Sequence, residues 1–183
     1  MTETDRRKVL YVIVCAAGPA SDVGKLVTLA HKRGWDVQLI ATPSALGFID
    51  TQALEAQTGH PVRSEYRKPG QPRSPKADAI IVAPATYNTI NKWANGISDT
   101  YALGILAEAP TLGIPTTVLP FVNTALANRS AFRKSITTLR DEGVRILLGP
   151  SEFEPHAPGT GETRRDAYPW PQALDEAERR HGI

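Results

Sequence analysis

A single cysteine in 183 residues, Cys15, is too few for an intramolecular disulfide framework or a cysteine-rich metal site. No apolar run is long enough to cross a bilayer. Met1 to Lys8 is polar and charged, with no signal-peptide core behind it. The apolar stretch from Val9 to Ala17 reads instead as a first strand. These absences lead to the expectation of a cytoplasmic protein that does not enter a membrane. Charge of either sign is nearly balanced, 21 Lys and Arg against 19 Asp and Glu, and the basic residues form no block. A nucleic-acid partner is therefore not expected. Two nucleotide motifs are also missing. Between Gly18 and Gly24-Lys25 lie five residues, one too many for a P-loop, and Leu26 stands where a magnesium-holding hydroxyl belongs. No GxGxxG run follows the first strand, so ATP and NAD are poor fits. No internal repeat is visible, and 41% hydrophobic with 22% charged residues is the balance of a globular chain.

What the chain does have is an alternation of apolar runs and amphipathic segments. Val9 to Cys15 and Ala79 to Ala83 are continuous and rich in β-branched residues, as buried parallel strands are. Asp36 to Ala41, Thr116 to Leu119 and Val144 to Leu148 read the same way. Val23, Leu26, Val27 and Ala30 recur at helical spacing ahead of Gly34. A second helix is expected over Leu46 to Thr58, closed by Gly59. A short one follows over Ile90 to Asn95 with Gly96 past its end, and Ser98 or Asp99 caps the next. Phe132, Ile136 and Leu139 give another helix an inward face, and Pro171 opens a last one over Gln172 to Arg180. The pattern predicts a Rossmann-like α/β/α three-layer sandwich with a mostly parallel sheet. One domain is expected over residues 1–183, with a core at about 8–149 and a C-terminal loop and helix over 150–183. Arg67 to Lys76, with three prolines and four basic residues, reads as a solvated loop, and Gly159 to Arg165 as a flexible polar stretch. Tyr168 and Trp170 are placed to pin the tail to the body or to touch a neighbouring subunit.

In open α/β sheets ligands gather at the carboxyl ends of the strands. Pro84 is expected to stop its strand there, leaving Pro84, Ala85, Thr86, Tyr87, Asn88 and Thr89 as a small-residue loop. Thr86, Asn88 and Thr89 can hold the polar edge of a cofactor; the same residue types also make ordinary helix caps. After the first strand, Ala17, Gly18 and Ser21 flank a helix start opened by Pro19, a turn of the kind that takes phosphates on backbone N–H groups. Thr42-Pro43-Ser44 after the second strand is a helix-start turn with two hydroxyls. A mononucleotide flavin suits such a site, since it asks for a phosphate cradle and a flat, partly apolar slot.

PATYNTINKWANGISDTY, from Pro84 to Tyr101, resembles the PASANT motif and following helices of the homo-oligomeric flavin-containing cysteine decarboxylases. That family includes phosphopantothenoylcysteine decarboxylase and the lantibiotic peptidyl-cysteine decarboxylases. Pro84, Ala85, Asn88, Thr89, Ile90, Lys92, Ala94, Asn95, Gly96, Ile97 and Asp99 match; Thr86 replaces serine and Tyr87 replaces alanine. VCAAGPASDVGKL aligns with the family's VTGSIAAYKALEL, with Ala16 and Ala17 on its Gly-Ser and Ser21 a nearby hydroxyl. Thr42 falls on a hydroxyl residue that contacts flavin in relatives, with Ser44 beside it. Thr58 to Val62 matches TGxPV, and Pro120-Phe121-Val122-Asn123 is similar to PxMN, the start of a substrate clamp. The resemblance implies bound FMN, a trimer-based homo-oligomer with flavin between subunits, and a small-molecule or peptide substrate ending in cysteine. In that family the thiol is oxidised to a thioaldehyde and the neighbouring carboxylate leaves as carbon dioxide. Asn123 is the residue carried over for catalysis.

The departures matter as much. The family's catalytic histidine would fall on Gly70, and the cysteine that its reducing members carry in a late loop has no counterpart in Gly149 to Pro158. His60 is read as a surface turn residue and His156 as an exposed loop residue. The expectation is poor turnover of phosphopantothenoylcysteine. A flavin-binding protein of the same fold without decarboxylase activity, such as a prenyl-flavin-type enzyme, a carrier or a regulatory subunit, is the alternative.

Overall fold

The computed structural model describes residues 6–182. Met1 to Asp5, most of the polar start noted above, and Ile183 lie outside the described residues. Five strands, β1 (Val9–Val14), β2 (Asp36–Ala41), β3 (Ala79–Ala85), β4 (Thr116–Pro120) and β5 (Arg145–Ile146), form an all-parallel sheet in the order β2-β1-β3-β4-β5. Helices α1 (Gly24–Lys32), α2 (Thr51–Thr58), α3 (Tyr87–Ala94), α4 (Tyr101–Glu108), α5 (Thr124–Ala127), α6 (Ser130–Asp141), α7 (Gly161–Arg165) and α8 (Trp170–His181) complete it. The expected three-layer sandwich follows from the strand pleat. Leu10, Val12 and Val14 point into one hydrophobic layer with α1 and α8; Tyr11 and Ile13 point into the other with α3, α4 and α6.

The tail is part of the first layer. Tyr168, Trp170, Ala173, Leu174 and Ala177 are all buried there. Tyr168 donates its buried hydroxyl to the Leu119 carbonyl at 2.5 Å, and Arg33, at the end of α1, pairs with Asp175 and Glu178 of α8, each at 2.7 Å. The stretch expected to be flexible, 159–165, is instead helical over Gly161–Arg165. Arg165 grips Asp22 at 3.0 Å and, with the adjoining Lys25, holds that carboxyl below its usual range.

Other boundaries moved for local reasons. Pro84 does not stop β3. It lacks a donor, but its carbonyl accepts from Cys15 N–H at 3.0 Å, and Ala85 accepts from Phe121 N–H at 2.8 Å. The segment expected as a helix from Leu46 splits into a 3-10 turn, Pro43–Gly47, and α2, because Asp50 caps a fresh start by accepting from Ala53 N–H. α3 begins at Tyr87 rather than Ile90, and Thr100, not Ser98 or Asp99, caps α4. The last strand shrinks to two residues.

Candidate active site

Thr86 caps α3: its hydroxyl accepts from Thr89 N–H at 3.3 Å and donates to the Thr89 hydroxyl at 3.1 Å. The small side chains bring the N-terminus of α3 to the carboxyl end of the central strand. There it opens onto a cavity of about 670 Å³. Ala16, Ala17, Thr42 and Ser44 come in from the ends of β1 and β2, and Phe121, Val122 and Asn123 from the end of β4. Tyr87, Asn88 and Lys92 of α3, Leu103 of α4, Leu126 and His156 close the sides. Of the residues singled out in the sequence, Ala17, Thr42, Ser44, Thr86, Tyr87, Asn88, Thr89 and Asn123 meet here.

Gly18, Ser21, Pro84 and Ala85 do not line the cavity. Pro84 and Ala85 are buried in the β3 ladder. Ser21 is exposed on the 3-10 turn Gly18–Asp22. Gly18 lies behind the wall, where an added Cβ would stand 3.6 Å from the Phe121 ring. Ala17 N–H turns back to the Cys15 carbonyl at 2.9 Å, so it is not a phosphate donor in this arrangement. Gly70 sits at φ +87° in the exposed loop, with nothing within 4 Å of a Cβ and no place in the cavity. A side chain installed there would be strained as well as remote. His60 is half-buried and tied to Asp36 at 2.7 Å, outside the cavity.

Asn123 caps α5. Its Oδ1 accepts from Leu126 N–H at 2.9 Å, which leaves the amide NH2 as the end able to donate to a ligand. Cys15 lies fully buried beneath the start of α3; burial pushes its thiol pKa up, while hydrogen bonds with Thr89 and Thr86 pull the other way. Lys92 reaches Asp99.

Sequence reading missed His156. It is half-buried, packs against Phe121 with ring centroids 4.7 Å apart, and forms a parallel bridge with Asn123. His156 N–H donates to the Val122 carbonyl at 3.3 Å, and Thr124 N–H donates to the His156 carbonyl at 2.8 Å. Burial, helped by the Arg164 charge, holds the imidazole below its usual pKa. The sequence carries no signal for a bridge across 33 residues.

The donor set suits a flat ligand with a polar rim. The N-terminus of an eight-residue helix, four threonines, a serine, two asparagines and a lysine face apolar surfaces from Phe121, Val122, Leu103 and Leu126. Fold and site together define a Rossmann-like α/β protein with a cofactor-sized cleft at the carboxyl ends of a parallel sheet. The chain belongs to the Flavoprotein family, whose model matches residues 1–166. It is 32% identical over 151 residues to the coenzyme A biosynthesis bifunctional protein CoaBC of Bacillus subtilis, covering 77% of this chain and 36% of that one. The chain thus spans only about a third of the length of that relative. A probable phosphopantothenoylcysteine decarboxylase of Streptococcus mutans is 27% identical, over 72% of this chain and 75% of its own. Among solved structures, the FMN-dependent cysteine decarboxylase TvaF from thioviridamide biosynthesis superposes with TM-score 0.74 at 22% identity, over 97% of this chain and all of that one. The epidermin biosynthesis protein EpiD of Staphylococcus aureus follows at TM-score 0.64 and 26% identity, over 76% and 81%. Among the described residues no helix is long and apolar enough to cross a membrane, and no cluster of His, Cys, Asp and Glu has the makings of a metal site.

Proposed function

We propose that this protein binds FMN in the cleft and uses it for the oxidative decarboxylation of a cysteine-containing small molecule or peptide terminus. The observation that carries this reading is the convergence of the capped α3 N-terminus, Thr42, Ser44 and Asn123 on one cavity. When bound, the flavin supplies a two-electron oxidant for the thiol. The chain supplies the rest. Thr86 fixes the start of α3, Asn88 and the helix N-terminus meet the polar rim, and Phe121 and Val122 keep water from one face. The Asn123 amide donates to the substrate carboxylate and orients it. A homo-oligomer built on trimers, working in the cytoplasm, completes the reading.

A second reading, flavin binding without decarboxylation, is favoured by one observation. Gly70 has no side chain to move a proton and lies outside the cavity. Anaerobic mixing of the FMN-loaded protein with peptides ending in cysteine separates the two. Bleaching of the flavin with release of one carbon dioxide per flavin is expected; an unbleached flavin leaves only the second reading. Asn88→Ala is expected to weaken FMN binding by about 1 kcal/mol, roughly fivefold, the worth of one hydrogen bond. Fluorescence titration checks it, and unchanged affinity removes Asn88 from the cofactor rim. Light scattering of the flavin-bound protein is expected to give a multiple of three 19.8 kDa chains, and a stable monomer contradicts the trimer.

A further inference from the structure

Of the groups lining the cavity, His156 alone is an imidazole, and nothing in the reading above uses it. It is held in place by its backbone. The bridge to Asn123 fixes its Cα beside the residue that orients the substrate, and Phe121 supports the ring face. The late segment is itself anchored, by Arg165 on Asp22 and by buried Tyr168. Gly161 leaves the ring its room, since a Cβ there would stand 3.2 Å from His156 Nε2.

The imidazole is also uncommitted. Nδ1 is buried with no hydrogen-bond partner among the described residues. A buried polar atom without a partner is uncommon and calls for an explanation, and of the five among the described residues His156 Nδ1 alone belongs to a residue lining the cavity. His60 is the contrast, its Nε2 tied to Asp36. The charge that acts on His156 is cationic, and exposed Glu154 two residues away is the nearest acidic group in sequence. Arg164 of α7 acts on it directly, Lys92 of α3 is paired with Asp99, Glu162 reaches Arg165, and Glu152 pairs with Arg145. Burial and the Arg164 charge both disfavour the imidazolium, so the ring favours its neutral form and is ready to accept a proton.

We propose that His156 is the acid–base residue of this site, taking the place of the side chain that Gly70 lacks. The inference rests on the decarboxylase reading. In the first step His156 takes the S–H proton of the substrate cysteine. The adjacent C–H bond breaks, its hydrogen and electron pair pass to the oxidised flavin, and the C–S bond becomes C=S. The bond to the carboxylate then breaks, carbon dioxide leaves, and the electron pair moves through the new C=C bond onto sulfur. The imidazolium returns its proton there and an enethiol departs. Two electrons and one hydrogen have gone to the flavin, and His156 ends as it began.

The test uses the FMN-loaded protein, its His156→Gln and His156→Ala variants, and a peptide ending in cysteine, mixed anaerobically across pH 5 to 9. FMN affinity is measured alongside by fluorescence titration, and the His156 ring is titrated by NMR. Expected are unchanged FMN affinity, bleaching slowed by a factor of about 10² to 10⁴ in both variants, and loss of the acid limb from the wild-type pH profile. That limb should coincide with the His156 titration seen by NMR, below the ordinary histidine value. Wild-type bleaching matched in rate and pH profile by the variants overturns the role of His156 and leaves the decarboxylase reading standing. Wild-type protein that binds FMN but never bleaches overturns both.

Discussion

Phe132→Ala is expected to cost about 3–5 kcal/mol, the range for emptying a buried aromatic site. Phe132 is 1% exposed on α6 and stacks on Tyr87, ring centroids 5.4 Å apart and planes 22° from parallel. Tyr87 is both the first residue of α3 and part of the cavity wall. The void would therefore open directly beneath the helix whose N-terminus faces the ligand. Ser135, on the same face of α6, donates to Asn91 Oδ1 at 2.7 Å, so α3 has one polar tie left to it. A drop in the urea midpoint is expected together with loss of FMN at temperatures where the native protein retains it. Tyr87→Phe keeps the stack and should leave stability within about 0.5 kcal/mol, as changes that empty no core site do. A small effect of Phe132→Ala would mean that α3 is held by something other than this packing.

Alkali should destabilise the protein. Cys15 and Tyr168 are both buried, and burial raises their pKa values, Tyr168 well above the ordinary tyrosine value. In the unfolded chain the thiol loses its proton near the ordinary value of 9.0 and the phenol near 10.0. Above those values the folded state binds more protons than the unfolded one, so stability falls as pH rises. Below them the two states bind alike and the effect vanishes. A loss of stability between pH 8 and pH 10.5 is therefore expected. Urea unfolding at the two pH values measures it. Cys15→Ala and Tyr168→Phe should each flatten the slope, with part of it left to Tyr11, whose pKa burial also raises. Tyr168→Phe also loses the hydrogen bond to Leu119 and so starts from lower stability. A flat profile from pH 8 to pH 10.5 would contradict the burial of these two groups.

The layers of the fold were legible because the strands are short apolar runs with turn residues at each end. Asp36–Ala41 has the boundaries that its composition suggests. What sequence could not show was competition between neighbouring signals. Pro84 reads as a strand terminator, and its carbonyl and that of Ala85 still serve the ladder. Leu46 and Phe48 fall within the helix expected from Leu46 to Thr58, but Asp50 starts a new helix after them and leaves both exposed. The cavity was legible where it is local in sequence, from Thr86 to Thr89 and at Thr42 and Ser44. It was not legible where the wall is made by chain returning from far away. His156 and Phe121 meet only because Val122 and Thr124 pair their backbones with it, and Gly18 packs against Phe121 outside the cavity lining.

The central claim is that the cleft at the carboxyl ends of β1 to β4 is a flavin site. It is tested most directly by titrating the flavin-free protein with FMN and following quenching of flavin fluorescence, with the Asn88→Ala variant beside it. Saturable binding of one FMN per chain, weakened in the variant, is the predicted result. Protein that leaves FMN fluorescence unchanged at saturating concentration, and remains colourless after gel filtration, would contradict it.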